Sequence, residues 1–82
     1  MNNSNYISNK IRQFISESLL LDTFIDDEES LFLSGKIDPE FLLYMVPMLE
    51  NKYGIVFEDD AIILENFDSV KLITETVKRL NS

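Results

Sequence analysis

The sequence contains no cysteine, no histidine and no tryptophan, and only two glycines and two prolines among 82 residues. Without cysteine there is no disulfide framework, no thiolate nucleophile and no zinc–sulfur site. Without histidine there is no imidazole switch near neutral pH, no Ser-His-Asp triad and no imidazole metal ligand. Long apolar runs are missing as well. The longest, Phe41 to Leu49, is interrupted by Pro47 and is far too short to span a bilayer. The stretch from Met1 to Asn9 is polar and holds no apolar signal core. These absences set the expectation of a cytoplasmic chain with no membrane partner.

What remains is a foldable composition. At 45% apolar residues the chain can bury a core and differs from a disordered acidic tail. Its length suits one domain spanning 1–82. Total stability at ordinary per-residue values is about 4–12 kcal/mol.

Basic residues are scarce and unevenly placed. The net charge is −8, from 15 acidic and seven basic side chains. Residues 22–68 hold 13 of the acids and only Lys36 and Lys52 as bases, a local charge of −11, whereas both ends are slightly basic. Such a region repels a phosphate backbone, which excludes nucleic acid as an expected partner. It attracts basic protein surfaces in a salt-dependent way, although acids on a small domain also maintain solubility.

Three segments carry helical periodicity. Ile7, Ile11, Phe14, Ser18 and Leu19 predict a first helix over about 5–20, with Lys10, Arg12, Gln13, Ser16 and Glu17 largely on its other side. Asp38-Pro39-Glu40 offers a capping carboxylate, a proline at the first helical position and an acid in the first turn. Leu42, Met45, Val46, Leu49 and Tyr53 then repeat to Gly54, a left-handed stop, which predicts a second helix over about 39–53. Pro47 lies inside it, lacks an N–H and crowds the Leu43 carbonyl, so a kink or a shorter helix is expected. Val70, Ile73, Val77 and Leu80 predict a last helix over about 69–80, with Asp68 as its cap, Phe67 as the apolar residue outside it, and Lys78 and Arg79 in its final turn.

The connections differ in kind. The long acidic segment Asp22 to Ile37 carries Leu31, Phe32 and Leu33, which should tie it to the core. Ile55-Val56-Phe57 reads as an extended linker, because a lone strand has no partner here. Residues 59–64 suit a short helix, the third in chain order, after an acidic start.

This layout, with Ser34-Gly35-Lys36-Ile37-Asp38 leading into the second helix, resembles the acyl carrier and peptidyl carrier protein family. Leu49-Glu50-Asn51-Lys52-Tyr53-Gly54-Ile55 looks like the family's LEexFGI end of that helix. Phe57-Glu58-Asp59-Asp60 looks like its linker into the short third helix, and Glu65-Asn66-Phe67-Asp68-Ser69-Val70 like its entry into the last one. The likeness covers roughly residues 7–80 and implies an all-α, four-helix carrier bundle. In that family a transferase attaches 4′-phosphopantetheine to a serine directly after the aspartate that opens the second helix. Here Pro39 follows Asp38, so that phosphodiester cannot form, and Glu40 stands where a leucine is usual. Gly54 keeps the family's spacing, sixteen residues after Asp38, so no shift of register supplies the serine. Ser30 and Ser34 lie upstream in the loop and Ser69 at the last helix.

The resemblance also implies a docking side on the second helix, where the family carries acids that meet basic patches of partner enzymes. That side here holds Glu40, Phe41, Tyr44, Pro47, Met48 and Asn51, with Tyr44 at a position that is often glutamate. The expected partner-binding set is Asp38, Glu40, Phe41, Tyr44, Met48, Glu50 and Asn51. Phe41, Tyr44 and Met48 form either an exposed contact patch or a surface covered by the first loop.

Other chemistry finds little footing. Asp26-Asp27-Glu28-Glu29 and Glu58-Asp59-Asp60 do not follow the calcium-loop pattern, so no metal site is expected. A bundle this small has little room for an enclosed catalytic cleft, so no catalytic residue and no enzyme activity are expected. The resulting expectation is a monomeric, non-catalytic, carrier-like protein of an acyl, aminoacyl or polyketide pathway. It would hold no cofactor, 4′-phosphopantetheine included, and act on basic surfaces of acyl- or aminoacyl-processing enzymes. The alternatives are a working carrier modified at another serine, and a non-covalent binder of acyl chains in the bundle.

Overall fold

The computed structural model of the chain describes residues 3–81, so residues 1, 2 and 82 of the expected 1–82 span lie outside the described residues. The described residues form three α-helices and no strand: α1 (Asn3–Leu19), α2 (Phe41–Tyr53) and α3 (Val70–Asn81). Two single-turn 3₁₀ segments, Asp59–Ala61 and Leu64–Asn66, stand where one short helix was expected. The chain is thus all-helical, as its periodicity predicts.

α1 buries Ile7, Ile11 and Ile15 and packs chiefly along α3. Ile15 is the centre of that face, whereas Ser18 is exposed, so the stripe follows 7, 11 and 15 rather than turning toward Ser18. α1 ends with Leu20 in the left-handed region, φ 54°, and the Leu21 N–H donates to the Ser16 carbonyl at 2.9 Å. α2 ends the same way through Gly54, φ 64°, with the Ile55 N–H donating to the Glu50 carbonyl at 3.2 Å.

α2 begins two residues later than its sequence suggests. The Asp38 carboxylate accepts from the Glu40 N–H at 2.9 Å, and the N–H groups of Phe41, Leu42 and Leu43 each donate three residues back. Asp38 therefore caps the tighter turn formed by residues 39–40 rather than the α-helix itself, whose N-cap residue, Glu40, makes no side-chain capping bond. The helix continues through Pro47 as one element, with Pro47 exposed. Leu42, Met45, Val46 and Leu49 face the core. The stretch after Gly54 is extended and alternates: Ile55 and Phe57 are buried, and Val56 points outward.

The long first loop is built into the core. Ile25, Leu31, Phe32 and Ile37 are buried, while Leu33, expected to join them, is exposed. Its backbone is held from both sides. From α1, Arg12 Nε donates to the Ile25 carbonyl at 2.7 Å and its guanidinium pairs with Asp27, so Arg12 is a clamp rather than an outward-facing charge. From the α3 side, the Lys71 N–H donates to the Asp27 carbonyl at 2.8 Å, and the Leu31 N–H to the Asp68 carbonyl at 2.6 Å.

Asp68 does not cap α3. Its Oδ2 accepts from Ser30 Oγ at 2.6 Å, and its Oδ1 accepts from the N–H groups of Phe32 and Leu33 at 2.7 and 2.8 Å. Ser69 is the cap instead, its hydroxyl accepting from the Leu72 N–H at 3.1 Å. Phe67 consequently sits one residue farther from the helix than a staple residue does. It is fully buried and meets Phe57 edge-on with ring centroids 5.2 Å apart.

Candidate partner-binding surface

An exposed apolar surface with charged neighbours lies on α2 and the facing edge of α1. Phe41 and Tyr44 are one turn apart on α2, so their rings project side by side. Phe14 of α1 packs against both, and the three rings form a triangle with centroids 6.0 Å (Phe14–Phe41), 5.9 Å (Phe14–Tyr44) and 5.8 Å (Phe41–Tyr44) apart. The three rings pin α2 to α1. Part of the cover over Phe41 is therefore α1. Phe41 and Met48 are half-buried against the core, while Tyr44 remains 59% exposed. Leu43 next to it is 73% exposed. Its apolar character was legible, but helical spacing alone does not separate an outward leucine from a core one in so apolar a segment.

The expected partner-binding residues thus divide. Asp38, Glu40, Tyr44 and Asn51 lie on the open surface. Glu50 faces the linker, where its Oε2 accepts from the Phe57 N–H at 2.9 Å. A shallow cleft of about 190 Å³ adjoins the rings, bordered by Lys10, Gln13, Phe14, Glu17 and Lys52. The surface runs from acids at the start of α2 to lysines near its end.

Pro39 is exposed directly after Asp38. The serines upstream in the loop and at the last helix are engaged in structure: Ser30 Oγ donates to Asp68, Ser34 Oγ donates to the Ser30 carbonyl at 2.7 Å, and Ser69 caps α3. Ser34 is nevertheless exposed. Met45, Val46, Leu49 and Val77, the interior positions expected to meet an acyl chain in the non-covalent reading, are packed in one hydrophobic cluster.

The titratable groups that shift belong mainly to the scaffold. Burial alone would raise the Asp68 carboxyl, but the bonds from Ser30 and from the Leu33, Phe32 and Leu31 backbone hold it below its ordinary value. The hydrogen bond from Lys36, with help from the Asp26 N–H, holds Glu29 down against a smaller effect of burial. Burial, and then the nearby Tyr6, push the Tyr53 hydroxyl up. Among the described residues no group of three or more acidic side chains is arranged to hold a metal ion, and no helix is long and apolar enough to cross a membrane. Compared with known protein families, characterised proteins and solved structures, the sequence matches none.

Proposed function

We propose that this chain is a carrier-like, non-catalytic cytoplasmic protein that acts by docking a partner enzyme of acyl, aminoacyl or polyketide chemistry through α2. The reading includes the finer fold, a four-helix carrier bundle in which the two 3₁₀ turns take the place of the short third helix. It is supported by the order of elements: a long helix, a long acidic loop, a helix opened by an aspartate, an extended link, short turns and a last helix.

The observation that carries the functional half is at the head of α2. The Asp38 cap of the entry turn is formed, Pro39 denies the adjacent position a hydroxyl, and exposed Leu43 and Tyr44 follow beside Glu40. An apolar patch with an acidic rim suits a basic partner surface with an apolar centre. The chain acts as a monomer and carries no cofactor in this reading.

The test has two arms. Incubation with coenzyme A and a broad-specificity phosphopantetheinyl transferase, followed by intact-mass measurement, should leave the mass unchanged. Gain of one phosphopantetheine arm overturns the reading in favour of a carrier modified at another serine, which peptide mapping then locates. Photocrosslinking from position 44 in the native cell should identify a partner. That partner, purified, should bind the unmodified chain less tightly as salt rises, and less tightly to Glu40→Lys. Binding indifferent to both overturns the docking surface.

A further inference from the structure

A second cleft lies away from α2, between the first turns of α1, the loop at Asp27-Glu28 and one face of α3. This open cleft has a volume of about 320 Å³. Lys71, Thr74, Glu75 and Lys78 line it from α3 at helical spacing, and Ser8 lines it from α1.

Its floor is unusual. Thr74 is 4% exposed, and its hydroxyl is buried with no hydrogen-bond partner. Thr76, two residues on, shows the ordinary solution, its hydroxyl donating to the Leu72 carbonyl at 2.9 Å. A buried orphan hydroxyl is costly, and valine would fill the same shape without that cost. Ser8 is also buried; its hydroxyl donates to the Asn5 carbonyl at 3.1 Å and keeps its lone pairs available.

The lining carries both signs of charge. Among the described residues, Lys71 makes no ion pair, and neither do Glu28 and Glu75. One Asp27 oxygen is taken by Arg12. Lys71, Glu28 and Glu75 thus stand open around the cleft, beside the hydroxyls of Ser8 and Thr74.

We infer that this cleft binds a small zwitterion, an α-amino acid with its ammonium toward Glu28 and Glu75, its carboxylate toward Lys71, and a hydrogen bond to the Thr74 hydroxyl. A lone anion is disfavoured by the chain's charge of −8. A lone cation gains nothing from Lys71. A neutral molecule carrying both charges meets groups of both signs and completes the unpaired hydroxyl.

The experiment is amide chemical-shift titration of the full chain with glycine, L-alanine and L-serine at fixed ionic strength, with acetate and methylammonium as single-charge controls. A saturable shift centred on Ser8, Glu28, Lys71, Thr74 and Glu75 is expected for at least one amino acid, at least tenfold tighter than for either control. Thr74→Val should weaken that binding at least tenfold while the melting temperature stays the same or rises. Lys71→Gln, at an exposed position, should weaken it comparably with no loss of fold. The inference is overturned if no amino acid shifts these amides at millimolar concentration, or if the controls bind as well. It is also overturned if Thr74→Val binds normally or lowers the melting temperature, which would mean that the hydroxyl serves the fold alone.

Discussion

Asp68 Oδ2 and Ser30 Oγ are joined by a 2.6 Å hydrogen bond across 38 residues of sequence. With the Phe32 and Leu33 N–H groups on the other oxygen, one carboxylate organises the turn that closes the long first loop. Hydrogen bonds to a charged acceptor contribute more than neutral ones, and stranding several donors costs more again. Asp68→Ala should therefore lower unfolding free energy by about 2–4 kcal/mol, measured by urea denaturation. Ser69→Ala, which removes only the α3 cap, should cost about 1 kcal/mol. Equal losses at the two positions would contradict the division of labour described above.

The same carboxylate gives the fold a defined acid sensitivity. Its folded pKa is depressed, so it titrates below the unfolded value of about 3.9. A depressed acid contributes its stability in full above the unfolded value and loses it as pH falls through the folded one. Glu29, also held down, acts in the same direction. Acidification further relieves the repulsion within a chain of charge −8, so the total stability curve mixes opposing effects. The difference between the wild type and Asp68→Asn isolates the residue. That difference should be constant above a pH of about 5 and shrink below about 4 in paired denaturation curves.

α1 and α2 end in the same left-handed motif, but with different residues. Gly54 adopts φ 64° freely, whereas Leu20 adopts φ 54° against the steric preference of an L-residue while 86% exposed. The left-handed region costs a side-chain-bearing residue about 1–2 kcal/mol, and glycine returns about 0.5–1 kcal/mol of this through its freer unfolded chain. Leu20→Gly should stabilise the protein by about 0.5–1 kcal/mol. That corresponds to a rise of about 2–8 °C in melting temperature for a domain of this size. Gly54→Ala should destabilise by about 1 kcal/mol, with no clash involved, because nothing lies within 4 Å of an added Cβ.

Periodicity located all three α-helices because each buries one continuous face. It placed Ile7, Ile11, Leu42, Met45, Val46, Leu49, Val70, Ile73 and Val77 in the core, where they lie. Polar residues were harder to place. Asp68 precedes a helix and so reads as its cap, but the loop 38 residues away claims the carboxylate first, and only tertiary contact reveals that. Arg12 reads as an outward charge for the same reason, since its partners Ile25 and Asp27 are not on its helix. The short third helix became two 3₁₀ turns because Asp59–Ala61 and Leu64–Asn66 are separated by Ile62 and by Ile63, the latter in extended geometry. On the candidate surface, Tyr44 was legible from spacing. The stacking of Phe14 on Tyr44 and Phe41 was not, because it depends on how α1 meets α2.

Phe14 and Tyr44 stack with centroids 5.9 Å apart, yet they should separate stability from binding. Phe14 is half-buried and contacts both α2 rings, so Phe14→Ala removes packing that joins two helices. A loss of about 1.5–3 kcal/mol in unfolding free energy is expected. Tyr44 exposes 59% of its surface and loses less on truncation, about 1 kcal/mol or below. For a partner docking on α2 the order reverses. An exposed aromatic at the centre of an interface is the kind of residue whose removal costs 2 kcal/mol or more, about thirtyfold in affinity. Tyr44→Ala should therefore fold almost normally and bind the crosslinked partner about thirtyfold more weakly, measured by calorimetry. Phe14→Ala should fold less stably and, where folded, retain most of its affinity. If Tyr44→Ala binds like the wild type, α2 is a structural helix and the partner lies elsewhere.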